Sequence, residues 1–137
     1  MKALSVLQPW AHAILRLGKS VENRTWPTRY RGPLLIHAGK SDRCYAAETP
    51  ADWRVLYGVE LPAPGVVTFG ALLGVVDLVD CVEVGRLPPS LPGRRWAEGP
   101  WCWVLANPRA FPGPVPYRGA QMLFDVPAEV IPAGFPK

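Results

Sequence analysis

Residues 3–26, ALSVLQPWAHAILRLGKSVENRTW, carry two changes of hydrophobic rhythm that set the architecture. Ala3 to Leu7 reads as a short strand. Gln8-Pro9-Trp10 then opens a helix, because proline at a first helical position has no N–H to leave unpaired. Trp10, Ala13, Ile14 and Leu17 recur at helical spacing and form one apolar face. Gly18 ends that helix, as glycine does where the chain must turn left-handed, so the helix spans Pro9 to Leu17. Val21 to Trp26 resumes as a strand, and a charged cluster, Lys19, Glu22 and Arg24, sits between helix and strand.

Outward from this stretch the chain stays rich in short strands. Pro33 to Ala38 is apolar and β-like, and Ser41 to Ala47 reads as a helical turn. Thr49-Pro50-Ala51-Asp52 is a helix start, with a hydroxyl cap, a proline and an acid three residues on. That helix carries Trp53, Leu56 and Tyr57 and stops at Gly58. Thr68 to Val82 reads as a long strand with Gly70 and Gly74 on one face, where glycine marks a bulge or a close neighbour. Glu83 to Pro100, rich in proline and glycine, reads as a loop. Trp101 to Leu105 and Met122 to Val126 read as strands. Many strands, few short helices and no βαβ rhythm predict an α+β fold, a small mixed β-barrel with helices at its mouth. Its length fits one domain spanning residues 1–137.

The chain is 49% hydrophobic, enough for one core without a structural staple. Three scattered cysteines, Cys44, Cys81 and Cys102, with no Cys-x-x-Cys, argue against a disulfide framework or a zinc site. A reducing cytoplasm is the expected location. No signal peptide or membrane-spanning run is visible. The net charge is +4, which permits an anionic partner without requiring one. No metal, no cofactor and no membrane association are expected. No Walker, Rossmann or Gly-x-Ser-x-Gly pattern occurs.

Strand alternation puts Glu22, Arg24 and Trp26 on one face at about 7 Å intervals. That spacing suits a polar ligand held between a carboxylate and a guanidinium, with Arg24 forking onto a phosphate or base edge. The same residues also read as an ion network decorating a barrel mouth. His37 lies in an apolar strand and reads either as a hydrogen-bonded core residue or as a ligand contact. His12 is expected on the solvated side of the first helix. Most of the six tryptophans should be core. Trp26 is placed to stack a base. Trp96, after Arg94-Arg95, reads either as part of a flap holding a nucleic-acid strand or as a plain solvated loop. Arg31 and Arg118 stand at turns.

The order Leu4-Ser5-Val6-x-Gln8-Pro9-Trp10-Ala11, Gly18-Lys19-x-x-Glu22-x-Arg24-x-Trp26, Tyr30-Arg31-Gly32-Pro33-Leu34-Leu35-Ile36-His37-Ala38 resembles the ASCH (activating signal cointegrator homology) domain, of the PUA-like β-barrel superfamily. Gly70-Ala71-x-x-Gly74 and Arg118-Gly119-Ala120-Gln121-Met122-Leu123-Phe124 continue the match. The resemblance implies a cleft beside the first helix that binds RNA, a nucleotide or a nucleoside. Its implied lining is Gln8, Trp10, Lys19, Glu22, Arg24, Trp26, His37 and Arg118.

Some distant relatives are hydrolases, one type deacylating N4-acetylcytidine and another acting as a ribonuclease, so the alternative is a small amidohydrolase on a modified nucleoside such as N4-acetylcytidine, or a ribonuclease. Lys19 and Glu22 are then the catalytic candidates. The deacylase pattern uses the motif lysine, a threonine three residues later and a separate glutamate. Here Glu22 occupies the threonine position, no motif places the other glutamate, and a carboxylate there favours the charged ammonium.

Overall fold

The computed structural model describes residues 1–136. Six strands form one mixed sheet: β1 (Lys2–Val6), β2 (Val21–Arg24), β3 (Gly32–Ala38), β4 (Ala71–Glu83), β5 (Trp101–Pro116) and β6 (Leu123–Asp125). Two helices, α1 (Trp10–Arg16) and α2 (Pro50–Tyr57), pack on it. The sheet order is β2-β5-β4-β3-β1-β6, with β1 and β3 parallel and every other pair antiparallel. Three strands stand between β2 and β1. Even so, the Arg24 guanidinium of β2 donates to the Ser5 carbonyl of β1 at 2.8 Å. A flat sheet would hold those strands roughly 19 Å apart at the usual interstrand spacing. The sheet is therefore curled into a barrel-like trough, and α1 packs against β3, β4 and β5.

Period-two alternation explains how one strand serves two cores. Leu34 and Ile36 of β3 face Ile14 of α1 together with Leu4, Val6, Val76 and Trp103. Leu35 faces the other way, onto Leu72, Val75, Phe111, Val126 and Ile131. A third cluster places Trp53 and Tyr57 of α2 against Ala13, Val21, Trp96 and Cys102. Thr49 caps α2 by accepting from the Asp52 N–H at 3.1 Å, and Gly58 closes it at φ 71°.

Two expectations change, at β5 and at the segment between β4 and β5. The strand expected at Trp101 to Leu105 runs on to Pro116. Pro108, Pro112 and Pro114 disguise it. The β4–β5 pairing shifts register at three places, and those irregularities absorb residues that cannot donate to a ladder. Gly74 stands at one of them, where a Cβ would lie 2.4 Å from the Arg109 carbonyl, so its neighbour is the β5 backbone. The loop from Glu83 to Pro100 contains two short 3₁₀ turns, Val84–Arg86 and Pro92–Trp96. Trp96 is buried and stacks on Tyr57 with ring centroids 4.1 Å apart and planes 6° apart.

The flap reading of that loop is thereby corrected. Asn23 pins the segment, donating to the Trp96 carbonyl and accepting from the Glu98 and Gly99 N–H groups. Arg95 donates to the Tyr57 carbonyl at 2.7 Å. Trp96 is a core residue and has no free face for a base.

Candidate functional site

The end of α1 delivers the first cationic side chain. Gly18 turns left-handed at φ 78°, and the Lys19 N–H returns to the Ala13 carbonyl at 3.1 Å. This closing turn sends the Lys19 side chain back against β2. Its ammonium donates to the Val21 carbonyl and to Glu22 Oε1, the latter at 3.0 Å. It also lies 5.7 Å from the centre of the Trp10 ring. Arg24, two residues along the same strand, grips the other oxygen: Nε donates to Glu22 Oε2 at 3.0 Å, and Nη2 lies 2.9 Å from it. Glu22 is thus clamped between two cations, with 9% of its side chain exposed against 3% for Lys19 and 23% for Arg24. Burial alone would raise the Glu22 carboxyl, but the charges and hydrogen bonds of Lys19 and Arg24 outweigh it and hold the group below its usual value.

Arg24 faces a cleft of about 540 Å³ lined also by Ser5, Trp10, Glu22, Trp26, Gln121 and Met122. That volume suits a small organic ligand. Trp26 lies just beyond the end of β2 and is held by Trp103, which meets it edge to face at 4.8 Å and donates its indole N–H to the Trp26 carbonyl. Arg24 spends Nε and Nη2 on Glu22 and Ser5, and among the described residues Nη1 has no hydrogen-bond partner. Lys19 stands behind Glu22, in a smaller pocket of about 190 Å³ shared with Trp10, Tyr57 and Trp96.

The structure therefore brings Trp10, Glu22, Arg24 and Trp26 to one cleft, with Lys19 as their buried support. It places the other three expected residues elsewhere. Gln8 is fully buried, donates to the Thr68 carbonyl and accepts from the His12 N–H, on the opposite side of α1. His12 is half-buried there, and burial together with Arg16 lowers its pKa. His37 is buried at 1% exposure. Its Nε2 lies 2.7 Å from the Tyr117 carbonyl, which can only accept, so Nε2 carries the proton. Nδ1 then accepts from the Ser5 hydroxyl at 2.9 Å. Arg118 and His37 line a second cleft, next to the first.

Ser5, Arg43, Cys44, Gln121 and Met122 also line the main cleft, and none of them carried a signal in the sequence as a lining residue. Only tertiary folding brings the 43–44 turn and the 120–122 segment to β2. Met122 adopts φ 59°, rare for a residue with a long side chain, and is 59% exposed at the cleft mouth. Among the described residues no group of three His, Cys, Asp or Glu side chains could hold a metal ion. No helix among them is long and apolar enough to cross a membrane.

Comparison with known proteins agrees with this architecture. The family model for the ASCH domain matches residues 4–114. The chain is 32% identical over 130 residues to activating signal cointegrator 1 of Homo sapiens and 31% identical to that of Mus musculus. It spans 93% of its own length in these matches but only 22% of the relatives'. The crystal structure of ASCH from Zymomonas mobilis superposes with a TM-score of 0.52 at 14% identity, covering 94% of this chain and 89% of that one. Its S128A mutant gives a TM-score of 0.53 at the same identity. At that identity the likeness is one of fold. With the family model covering most of the chain and relatives 32% and 31% identical over 130 residues, this protein belongs to the ASCH domain family.

Proposed function

We propose that the chain binds single-stranded RNA or a nucleotide in the cleft beside α1, with Arg24 as the polar contact and Trp10 and Trp26 as the apolar walls. One observation carries the reading: a partly exposed guanidinium, fixed at Nε and Nη2 and without a partner at Nη1 among the described residues, opens into a cleft of about 540 Å³ between two indoles. A guanidinium so immobilised presents its remaining donors to an acceptor at little entropic cost. Aromatic faces accept any base. The net charge of +4 favours an anionic ligand.

The same geometry supports binding over hydrolysis. A lysine acting as base or nucleophile must be neutral and free. Lys19 is ion-paired to Glu22 and hydrogen-bonded to a carbonyl behind the cleft. We expect no turnover of N4-acetylcytidine. Fluorescence titration with single-stranded RNA tests the binding reading. Trp26→Ala should weaken binding by about 1–3 kcal/mol, and Arg24→Met should lose it. Unchanged affinity in Arg24→Met would refute the assignment, as would rapid deacylation that vanishes in Lys19→Met.

A further inference from the structure

Beside the main cleft lies a second one of about 440 Å³, lined by Ser5, His37, Gly39, Lys40, Arg118 and the 119–121 segment. The two share Ser5, Ala120 and Gln121. Their characters differ. The first has two indoles, the Glu22–Arg24 pair and Arg43. The second has no aromatic indole and no acidic side chain, but two cations, Lys40 and Arg118.

Those cations belong, with Arg16, Arg29, Arg43, Arg86, Arg94 and Arg95, to the described ones that no carboxylate neutralises. Lys2, Lys19, Arg24, Arg31, Arg54 and Arg109 each have a carboxylate partner. Among the described residues neither Lys40 nor Arg118 forms an ion pair, and both are exposed. Lys40 is nevertheless supported. Its aliphatic stem lies over Gly70, where a Cβ would come 3.3 Å from the Lys40 Cγ. Gly70 also adopts φ +67°, a conformation open to glycine, so the bed beneath the lysine is built from a residue without a side chain.

The common wall is fixed as well. His37 ties Ser5 to the Tyr117 carbonyl, and Gly119 fits against the imidazole so closely that a Cβ would lie 2.7 Å from its Cε1. Arg24 holds the carbonyl of the same Ser5 from the other side. One residue of β1 thus links the aromatic compartment to the cationic one.

From this juxtaposition we infer that the ligand is a phosphodiester-linked strand of at least two nucleotides, with a base in the Trp10–Trp26 cleft and a neighbouring backbone phosphate on Lys40 and Arg118. The inference rests on the proposed function and extends it by fixing the minimum ligand and the place of its phosphate. A free nucleoside fills only the first compartment. Both RNA and DNA supply the phosphodiester, and the deoxy strand serves as the comparison.

The test titrates wild type, the double variant Lys40→Ala/Arg118→Ala, and Arg24→Met with A7, C7, G7 and U7 RNA heptamers, the matching DNA heptamers and the four free nucleosides. Both truncated side chains are exposed, so the double variant should keep its melting temperature. It should lose roughly tenfold in affinity for the tightest-binding heptamer, the worth of a charged hydrogen bond. Its log affinity against log salt should flatten by about 0.7 for each phosphate released. Nucleoside affinity should not change. A parallel loss for DNA assigns the contact to the phosphodiester, and a loss confined to RNA assigns it to the ribose and overturns the phosphate assignment. Unchanged heptamer affinity and slope in the double variant, with binding lost in Arg24→Met, overturns this inference and leaves the main cleft standing. Unchanged heptamer binding in Arg24→Met overturns the proposed function and, with it, a strand spanning both compartments. No heptamer binding at low salt overturns both.

Discussion

Replacing Glu22 by glutamine should destabilise the fold far more than a surface charge change would. The Lys19 ammonium is 3% exposed and lies 3.0 Å from Glu22 Oε1. Removing the carboxylate charge leaves a buried cation whose remaining partner is the Val21 carbonyl. Breaking one side of a buried pair costs about 3–5 kcal/mol, chiefly through the charge left uncompensated. Glutamine keeps an oxygen that can still accept, so the lower end, about 3 kcal/mol, is expected. For a chain of this length that corresponds to a fall of roughly 10 °C in melting temperature. Lys19→Met should cost less, because Glu22 keeps both contacts from Arg24. The double variant Lys19→Met/Glu22→Gln removes the stranded charge and should be more stable than Glu22→Gln alone. Urea unfolding of the three variants measures the coupling, expected at about 1–3 kcal/mol. Strictly additive effects, or a Glu22→Gln midpoint indistinguishable from wild type, would refute the buried-clamp account.

Two further outcomes follow from the same contacts. Because Glu22 titrates below its usual value of 4.5 in the folded chain, its contribution is present above the unfolded pKa and is lost as pH falls through the folded one. Wild-type stability should therefore drop on acidification below about pH 4.5 more steeply than that of Glu22→Gln, as read from urea midpoints at pH 6 and pH 3; parallel curves would contradict the assignment. Trp96→Ala should cost about 3–5 kcal/mol of stability with RNA affinity unchanged in the folded variant, since the ring is 4% exposed and stacked on Tyr57; a stable variant with weakened binding would restore the flap reading.

Legibility in the sequence followed the range of the interactions. Helix α1, its glycine stop, the Thr49 cap of α2 and the apolar run of β3 depend on neighbours within a few residues, and the sequence displays those neighbours directly. The second half of β5 does not, because its prolines deny a strand locally while the shifted pairing with β4 permits one. Trp96 was ambiguous for the same reason. Its loop is proline- and glycine-rich, but Asn23, seventy-three residues earlier, holds its carbonyl. His37 stands out as a polar residue in an apolar strand and reads either way, while Gln8 enters as a ligand group only through the family resemblance. In the fold both spend their hydrogen bonds on distant backbone and hydroxyl groups, Thr68 and Tyr117 among them.

The spacing of Lys19, Glu22 and Arg24 has a physical cause in the structure. A helix ending in a left-handed glycine reverses the chain within one residue, so a lysine directly after it can reach a strand residue three positions on. Two positions further along that strand, the next side chain on the same face meets the other carboxylate oxygen. A single carboxylate thereby orients two cations toward different surroundings. Lys19 is turned inward, where Val21 and Trp10 enclose it. Arg24 is turned to the cleft and across to β1, where it closes the trough at Ser5. Shortening Glu22 to aspartate would keep the charge but withdraw both oxygens by one methylene, and the two cations could not both be reached without moving β2. The carboxylate therefore does two things through its two oxygens: it neutralises the buried lysine and fixes the guanidinium to which the proposed function assigns the ligand.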